Sequence, residues 1–192
     1  MKYLPGSRVR FCVFALLFAA GLAAAQDSAV TSACGKAKVT LDHPEYLTDA
    51  LGIIAAEPPS GWVLDKSRRK PFYFFKRGEN YESARTLMYV NVERLEVPFR
   101  NAVQNDAESF QSNCQPSTVR EEKKPELLER GCEAITQLFS CNRRPNAFVE
   151  LVTKISIGGL LLNVVISGET RAEVEVYRKD YQFLLDHLTL VN

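Results

Sequence analysis

The glycine pair Gly158-Gly159 constrains the fold more than any other feature of this sequence. Both glycines can adopt the positive φ angles that a two-residue β-hairpin turn requires. If the chain folds back at this pair, apolar residues meet along one face of both strands. The facing pairs are Ile157 with Leu160, Ile155 with Leu162, Thr153 with Val164 and Leu151 with Ile166. Because a slip by one residue would exchange the two faces, the pattern predicts a single register for this hairpin.

A long amphipathic C-terminal helix is predicted directly after the hairpin. Thr170 and Glu173 have the spacing of a capping box, in which each side chain accepts a hydrogen bond from a free amide group at the helix start. Apolar residues then recur at helical spacing, namely Val174, Tyr177, Tyr181, Leu184, Leu185 and Leu188. One stripe of this helix is therefore expected to pack against a sheet.

Residues 1–25 have the pattern of a secretory signal peptide. Basic residues come first, an apolar run follows from Phe11 to about Ala20, and Ala23-Ala24-Ala25 precedes Gln26. These are the three parts of a signal that is cleaved after small residues. A membrane anchor is the alternative, but the apolar run is shorter than the about 20 residues that a spanning helix needs. We expect a secreted or periplasmic protein with no membrane span after the signal is removed.

The charge balance gives no global reason to expect a nucleic acid or an anionic membrane as a partner. The signal takes away three of the 24 basic residues and none of the 23 acidic ones, so the mature chain is slightly acidic. Arg68-Arg69-Lys70 does precede an aromatic run, which can mark single-stranded nucleic-acid binding. Glu79 and Glu82 follow closely, and the chain carries an export signal, so no nucleic-acid partner is expected.

Four cysteines remain after the signal, and they predict two disulfides in an exported protein. They are Cys34, Cys114, Cys132 and Cys141. Cys132 and Cys141 flank a strand-like run and would lie roughly 30 Å apart, so they do not pair. We favour Cys114–Cys132 with Cys34–Cys141, and we keep Cys34–Cys132 with Cys114–Cys141 as the alternative. A metal site is disfavoured, because the cysteines are scattered and no histidine is near them.

The mature chain is expected to form a short lead and one domain. Residues 26–48 are interpreted as a flexible lead, with a helical turn over 42–51, and residues 49–192 as the domain. Apolar runs predict strands over 53–56, 62–64, 72–75, 86–95 and 133–140. In the 86–95 strand, apolar residues alternate with Asn91 and Glu93, which predicts a solvent-exposed (wet) sheet face beyond Tyr89.

A second helix and a long loop are predicted in the middle of the domain. Phe99, Val103, Ala107, Phe110 and Cys114 recur at helical spacing, so residues 99–114 should form a helix with Cys114 on its buried face. Residues 116–131 carry mixed charges and no apolar period. This composition favours a solvated loop.

The sequence contains no recognisable catalytic constellation. Of its two histidines, His43 precedes a proline in a loop, and His187 lies near the end of the predicted C-terminal helix, where a packing role or a helix-end cation is the simpler interpretation. No nucleophile elbow, zinc-binding helix or phosphate-binding glycine loop occurs. We assign no catalytic, cofactor-binding or metal-binding residue.

The order of elements resembles the PsbP-like superfamily, which includes PsbP, the yeast Ran-binding nuclear import factor and bacterial envelope proteins of the DcrB type. The resemblance covers about residues 50–190. It depends on Pro59-Ser60-Gly61-Trp62, on the helix after the 86–95 strand, and on the closing hairpin and helix. It implies an α+β fold, an α/β/α sandwich around a mostly antiparallel sheet, with non-enzymatic members that bind or stabilise protein partners. The four cysteines and Ala55-Ala56 depart from the pattern, and no functional residue is transferred.

Three functional hypotheses follow. The first is an exported, non-catalytic domain that binds or stabilises a protein partner in the cell envelope, through the wet sheet face and the segments 66–85 and 115–131. The second is an envelope hydrolase that uses His43 or His187. The third is a small-ligand carrier with a pocket near Trp62 and the 72–75 strand. No cofactor is expected for the first.

Overall fold

The computed structural model describes residues 41–49, 51–128, 132–143, 145 and 147–191. These residues contain ten strands and three helices. They are β1 (Glu45–Asp49), β2 (Gly52–Ala56), β3 (Trp62–Leu64), β4 (Phe72–Lys76), β5 (Leu87–Arg94), α1 (Phe99–Asn113), β6 (Ser117–Leu128), β7 (Cys132–Cys141), β8 (Phe148–Ile157), β9 (Leu160–Gly168), α2 (Arg171–Val176), α3 (Arg178–Asp186) and β10 (Leu188–Val191). A seven-stranded sheet has the order β3-β4-β5-β9-β8-β7-β6, and a three-stranded sheet has the order β1-β2-β10. The pairings are antiparallel.

The two faces of the large sheet are covered by different elements, which gives an α/β/α sandwich of the α+β class. Helix α1 packs on one face, where Phe99 and Val103 contact Ile135 and Leu161. We call this the α1 face. Helices α2 and α3 and the small sheet cover the opposite face, which we call the core face. The largest apolar cluster lies there, because alternate strand residues point to it.

The predicted hairpin is confirmed, including its register. Gly158 and Gly159 have φ angles of 56° and 79°, as the two-residue turn requires. The four apolar pairs derived from the sequence are the observed partners of β8 and β9. Their side chains point to the core face, where Leu162 and Ile166 are fully buried.

The remaining predicted strands and the first helix are also confirmed. The five apolar runs form β2, β3, β4, β5 and β7, and the periodic segment after Pro98 forms α1. Cys114 follows α1 directly and is buried, as its place on the apolar stripe predicted.

The C-terminal helix begins as predicted but does not continue as one helix. The capping box between Thr170 and Glu173 is present at the start of α2. The helix is interrupted at Tyr177, which has φ −105° and ψ 16°, and it ends at Asp186. Leu188, predicted as the last residue of the helical stripe, instead begins β10 opposite Ala56. Leu188 is fully buried in this strand. A buried position on a helix would require the same apolar side chain, so the residue type alone did not distinguish the two structures.

Two segments without an apolar period are strands, and here the sequence interpretation is wrong. Residues 117–128, expected as part of a solvated loop, form β6 at the edge of the large sheet and pair along β7 with two register shifts. An edge strand can carry charges because one side of its backbone faces solvent. Residues 45–49, expected within a helical turn, form β1. The fold therefore begins within the segment assigned to the lead, while residues 1–40 lie outside the described part and their signal stays a prediction.

Candidate functional site

Helix α1 covers only part of its face of the large sheet. Phe110 packs edge-on against Phe139 of β7 and Phe148 of β8, with ring centroids 5.0 Å and 5.9 Å apart. Phe110, Val119 of β6 and Tyr89 of β5 all pack against one buried cluster on this face, formed by Phe139, Val152 and Val165. Tyr89 thus lies at the margin of the helix contact, and the sheet face continues beyond it over β5 and β4.

Three tyrosines and one arginine occupy this continuation, and we call them the tyrosine surface: Arg68, Tyr73, Tyr81 and Tyr89. Tyr73 and Tyr89 are register partners on β4 and β5. Their ring centroids are 5.6 Å apart, and Tyr81, from the loop after β4, packs edge-on to Tyr73 at 5.4 Å. The Arg68 guanidinium lies 4.2 Å from the Tyr81 centroid. All three tyrosines are half-buried, so part of each side chain remains exposed.

The tyrosine surface rests on a well-packed base. Phe75, Ala84 and Leu87 are buried beneath it, and the loop that carries Tyr81 folds over them. The turn at Asn80 is fixed by its side-chain oxygen, which accepts hydrogen bonds from the amides of Glu82 and Ser83 at 2.9 Å and 3.1 Å. The tyrosines are thus held in place before any partner arrives, which lowers the entropy lost on binding.

A titratable carboxyl group lies under the margin of the surface. The Tyr89 hydroxyl donates a hydrogen bond to Glu150 at 3.4 Å. Burial raises the pKa of Glu150 to about 7, although hydrogen bonds from Ser167 and Tyr89 act in the opposite direction. Asp106 of α1 raises this pKa further and Lys154 lowers it. Burial also raises the pKa of Tyr89 and of Tyr73, so both phenols stay neutral.

Glu150→Gln should change how stability depends on pH. The pKa of Glu150 is about 7 in the folded protein and near 4.5 when unfolded, so between these values the folded state holds a proton that the unfolded state lacks. Stability therefore falls as pH rises through this window, by up to roughly 3 kcal/mol from this group. Urea unfolding of wild type and Glu150→Gln between about pH 5 and about pH 8 should show that the variant loses less stability.

The exposed Glu169, just after β9, provides the control for that experiment. Glu169→Gln should follow the wild-type curve, since its side chain is in solvent. Parallel curves for wild type and Glu150→Gln would show that Glu150 is not a destabilising carboxylate at neutral pH.

A buried ion pair fixes α1 to the sheet next to this carboxyl. Lys154 of β8 is 2% exposed, and its ammonium donates to Asp106 of α1 at 2.5 Å and to Asn163 of β9 at 3.0 Å. Nearby, Gln137 of β7 is buried, and its side-chain oxygen has no hydrogen-bond partner among the residues that the structure describes. The α1 face is therefore polar inside as well as at its margin. On the same face, Asn91 is half-buried and Glu93 is exposed, which agrees with the wet face predicted beyond Tyr89.

Trp62 is a packing residue in this structure. Its indole N–H donates to Asp180 of α3 at 2.8 Å, and its ring meets Tyr177 edge-on at 5.5 Å. The Lys76 ammonium lies 4.6 Å from both ring centroids and 3.1 Å from the same carboxylate. Trp62 is 4% exposed, so the indole has little surface left for the ligand that the carrier hypothesis requires.

The described residues form a shallow depression of about 460 Å³ at the hairpin end of the sheet, away from the residues of the carrier hypothesis. It is lined by Leu51, Arg94, Leu95, Glu96, Gly158, Gly159 and Leu160. Its wide opening and polar lining differ from the enclosed apolar pockets that hold small ligands.

Neither histidine takes part in a catalytic arrangement in the described part of the chain. His187 stacks on Phe183 at 3.8 Å, and its Nδ1 lies 2.8 Å from the Phe183 carbonyl oxygen at the end of α3. His43 is exposed before β1. Among the described residues, no carboxylate is hydrogen-bonded to either ring, and no cluster of His, Cys, Asp and Glu has the geometry of a metal site.

The disulfide links different cysteines from the favoured pairing. Cys114 is bonded to Cys141, with Cα atoms 5.7 Å apart, so the pairing of Cys114 with Cys132 is wrong. The reason is geometric, because α1 ends over the Cys141 end of β7 and Cys132 lies at the other end of that strand. The observed pair belongs to the alternative connectivity. Cys132 is also disulfide-bonded, and Cys34 lies outside the described residues.

Together, the sandwich, its antiparallel sheet and the closing hairpin and helices define a PsbP-like fold. No protein-family profile and no curated protein matches the sequence. Among solved structures, LpqN, involved in cell envelope biogenesis of Mycobacterium tuberculosis, has a TM-score of 0.57 at 10% identity, covering 78% of this chain and 90% of LpqN. The cyanobacterial PsbP of Synechocystis gives 0.54 at 11% identity, covering 81% and 97%. The Saccharomyces cerevisiae Ran-binding protein Mog1p gives 0.50 at 10% identity, covering 78% and 96%.

These structural neighbours confirm the fold that the sequence resemblance implied. In the ranges that the structure describes, no helix is long and apolar enough to cross a membrane. The residues of the tyrosine surface come from two of the segments flagged in the sequence, the 66–85 segment and the 86–95 strand. Their convergence was not predictable, because it depends on the fold of the loop after β4.

Proposed function

We propose that this protein is an exported, non-catalytic domain that binds a protein partner in the cell envelope through the tyrosine surface. The observation that carries the proposal is the cluster of Tyr73, Tyr81 and Tyr89 with Arg68 on the open part of a sheet face. Tyrosine and arginine are enriched among the residues that dominate protein–protein binding energy. They combine large apolar area with polar groups that tolerate solvent when the partner is absent.

Export is supported by two independent features. Residues 1–25 have the composition and order of a secretory signal. The Cys114–Cys141 disulfide suits an oxidising compartment, where such bonds persist. A similar fold occurs in LpqN, a protein involved in cell envelope biogenesis, which agrees with this location.

A binding role is supported by the contacts of His187 and Trp62. His187 lies within hydrogen-bond distance of the Phe183 carbonyl oxygen at the end of α3, and the Trp62 ring packs against Tyr177 and Lys76. His187 and Trp62, two of the residues on which the hydrolase and carrier hypotheses depended, therefore have structural roles. Mog1p, which shares the fold, is a Ran-binding protein, and this analogy concerns the type of function only.

Tyr81→Ala should weaken capture of the partner at least about tenfold, because truncating a central tyrosine of an interface removes on the order of 2 kcal/mol. The protein, tagged and exported in its native host, would be cross-linked in the envelope and purified, and captured proteins quantified by mass spectrometry. Tyr46→Ala is the matched control, since Tyr46 is 60% exposed on the small sheet. Equal capture by both variants, or no enriched protein with wild type, would contradict the proposal.

A further inference from the structure

The segment that carries most of the tyrosine surface is rich in positive charge. Of the twenty residues from 66 to 85, seven are Lys or Arg and two are Glu, although the whole chain is nearly neutral. Arg69, Arg77 and Arg85 are exposed and form no ion pair within the described residues. They lie on the two loops that flank β4, which also carry Arg68 and Tyr81.

Arg68 is held against the tyrosine rings with part of its side chain exposed. Its guanidinium lies over the Tyr81 ring at 4.2 Å and within 5.8 Å of the Tyr73 centroid. Its Nε is 3.8 Å from Asp65, a loose contact, and the Asp65 carboxylate also accepts short hydrogen bonds from Ser67. The side chain is 46% exposed, so its remaining N–H groups face solvent. A guanidinium fixed in this way can take a carboxylate with two parallel hydrogen bonds.

On the basis of the proposed function, we propose that the partner segment bound at the tyrosine surface is an extended acidic peptide. Its carboxylates pair with Arg68 and with the unpaired arginines on the flanking loops. Its apolar side chains lie on Tyr73, Tyr81 and Tyr89. The charge complementarity gives both attraction and orientation.

A single-stranded nucleic acid fits the same surface less well. Bases bind by stacking on open aromatic faces, whereas one face of Tyr81 is covered by Arg68, and Tyr73 stacks on Phe75 with centroids 6.0 Å apart. Glu79, Glu82 and Glu93 are exposed around the surface. A continuous row of phosphates would meet these carboxylates, while a peptide with spaced acidic residues can avoid them.

The test uses the full mature protein and three pools of short fluorescent peptides in fluorescence anisotropy. One pool alternates Asp or Glu with apolar residues, and the others replace the acidic positions by Gln or by Lys. The acidic pool should bind at least about tenfold tighter than either, and more weakly at higher salt. Arg68→Glu should remove most of this preference, and shifts in NMR spectra should map to Tyr73 and Tyr81.

Arg69→Glu/Arg85→Glu is a second variant, because both residues are exposed and the fold should not depend on them; it should weaken the acidic pool several-fold. Arg143→Glu/Lys179→Glu, with the same charge change on exposed residues elsewhere, should leave binding within about twofold. Equal binding of the three pools, full binding by Arg68→Glu, or tighter binding of a labelled oligothymidylate would overturn the inference. If Tyr81→Ala loses the cellular partner but Arg68→Glu and the double arginine variant keep it, the acidic chemistry is wrong and the proposed function stands.

Discussion

Removing the disulfide with Cys114→Ala/Cys141→Ala is expected to lower the free energy of unfolding by about 3 to 4 kcal/mol. The two cysteines are 27 residues apart in sequence, and closing a loop of this size restricts the unfolded chain by about that free energy. The bond also joins the end of α1 to the end of β7. Without it, hydrogen exchange should accelerate first in the last turn of α1.

Urea unfolding at constant pH measures this difference. Ser112→Ala/Ser140→Ala is the matched control, because these residues lie close to the two cysteines in the same helix and strand. Its effect should remain within about 1 kcal/mol. A loss of less than about 1 kcal/mol in the cysteine variant would show that the bond does not stabilise the domain in the expected way.

Asp106→Ala is expected to destabilise the protein by about 2 to 3 kcal/mol. The substitution leaves the ammonium of Lys154, whose side chain is 3% exposed, with Asn163 as its remaining hydrogen-bond partner. An uncompensated buried charge destabilises strongly, typically by about 3 to 5 kcal/mol. We expect the lower figure because the Asp106 side chain is itself 47% exposed, so water can partly replace it.

The double variant Asp106→Ala/Lys154→Met separates this cause from a simple loss of contacts. It removes the buried charge as well as its partner, and most of the lost stability should return. Glu108→Ala, an exposed carboxylate on the same helix, should change stability by about 0.5 kcal/mol or less. The explanation fails if Asp106→Ala resembles Glu108→Ala, or if the double variant recovers nothing.

Both contacts bear on the proposed function, because they fix the position of α1 on the sheet. Phe110 of that helix and Tyr89 pack against the same buried cluster, so α1 lies on the same sheet face as the tyrosine surface. Variants that loosen α1 should therefore weaken partner binding as well as stability. This effect must be separated from direct substitutions in the surface, which is why Tyr81, on a loop away from the helix, is the residue of choice.

Features set by short-range pattern were predictable from the sequence. The register of β8 and β9 follows from two glycines and a period of two, and the start of α2 follows from Thr170 and Glu173. Features set by long-range pairing were not predictable. The charged segment 117–128 can form β6 because it lies at the sheet edge, where charged side chains are tolerated. β1 and β10 both depend on pairing with β2, which is distant from β10 in sequence.

The candidate site also has a part that was predictable from the sequence and a part that was not. The aromatic run of β4 and the basic residues before it pointed to the 66–85 segment. Nothing in the local sequence placed Arg68 over Tyr81, because twelve residues, including β4, lie between them. The raised pKa of Glu150 was equally hidden, since it results from burial in the folded sheet and from Asp106 of α1, which is distant in sequence.

Photo-cross-linking in the intact cell envelope tests the central claim most directly. A photoreactive phenylalanine analogue would replace Tyr81 in one variant and the exposed Tyr46 in another, and adducts would be identified by mass spectrometry. We predict a discrete adduct with one protein for the Tyr81 variant and none for the Tyr46 variant. A folded, exported Tyr81 variant that gives no adduct, or the same adducts as Tyr46, would contradict a partner-binding role for the tyrosine surface.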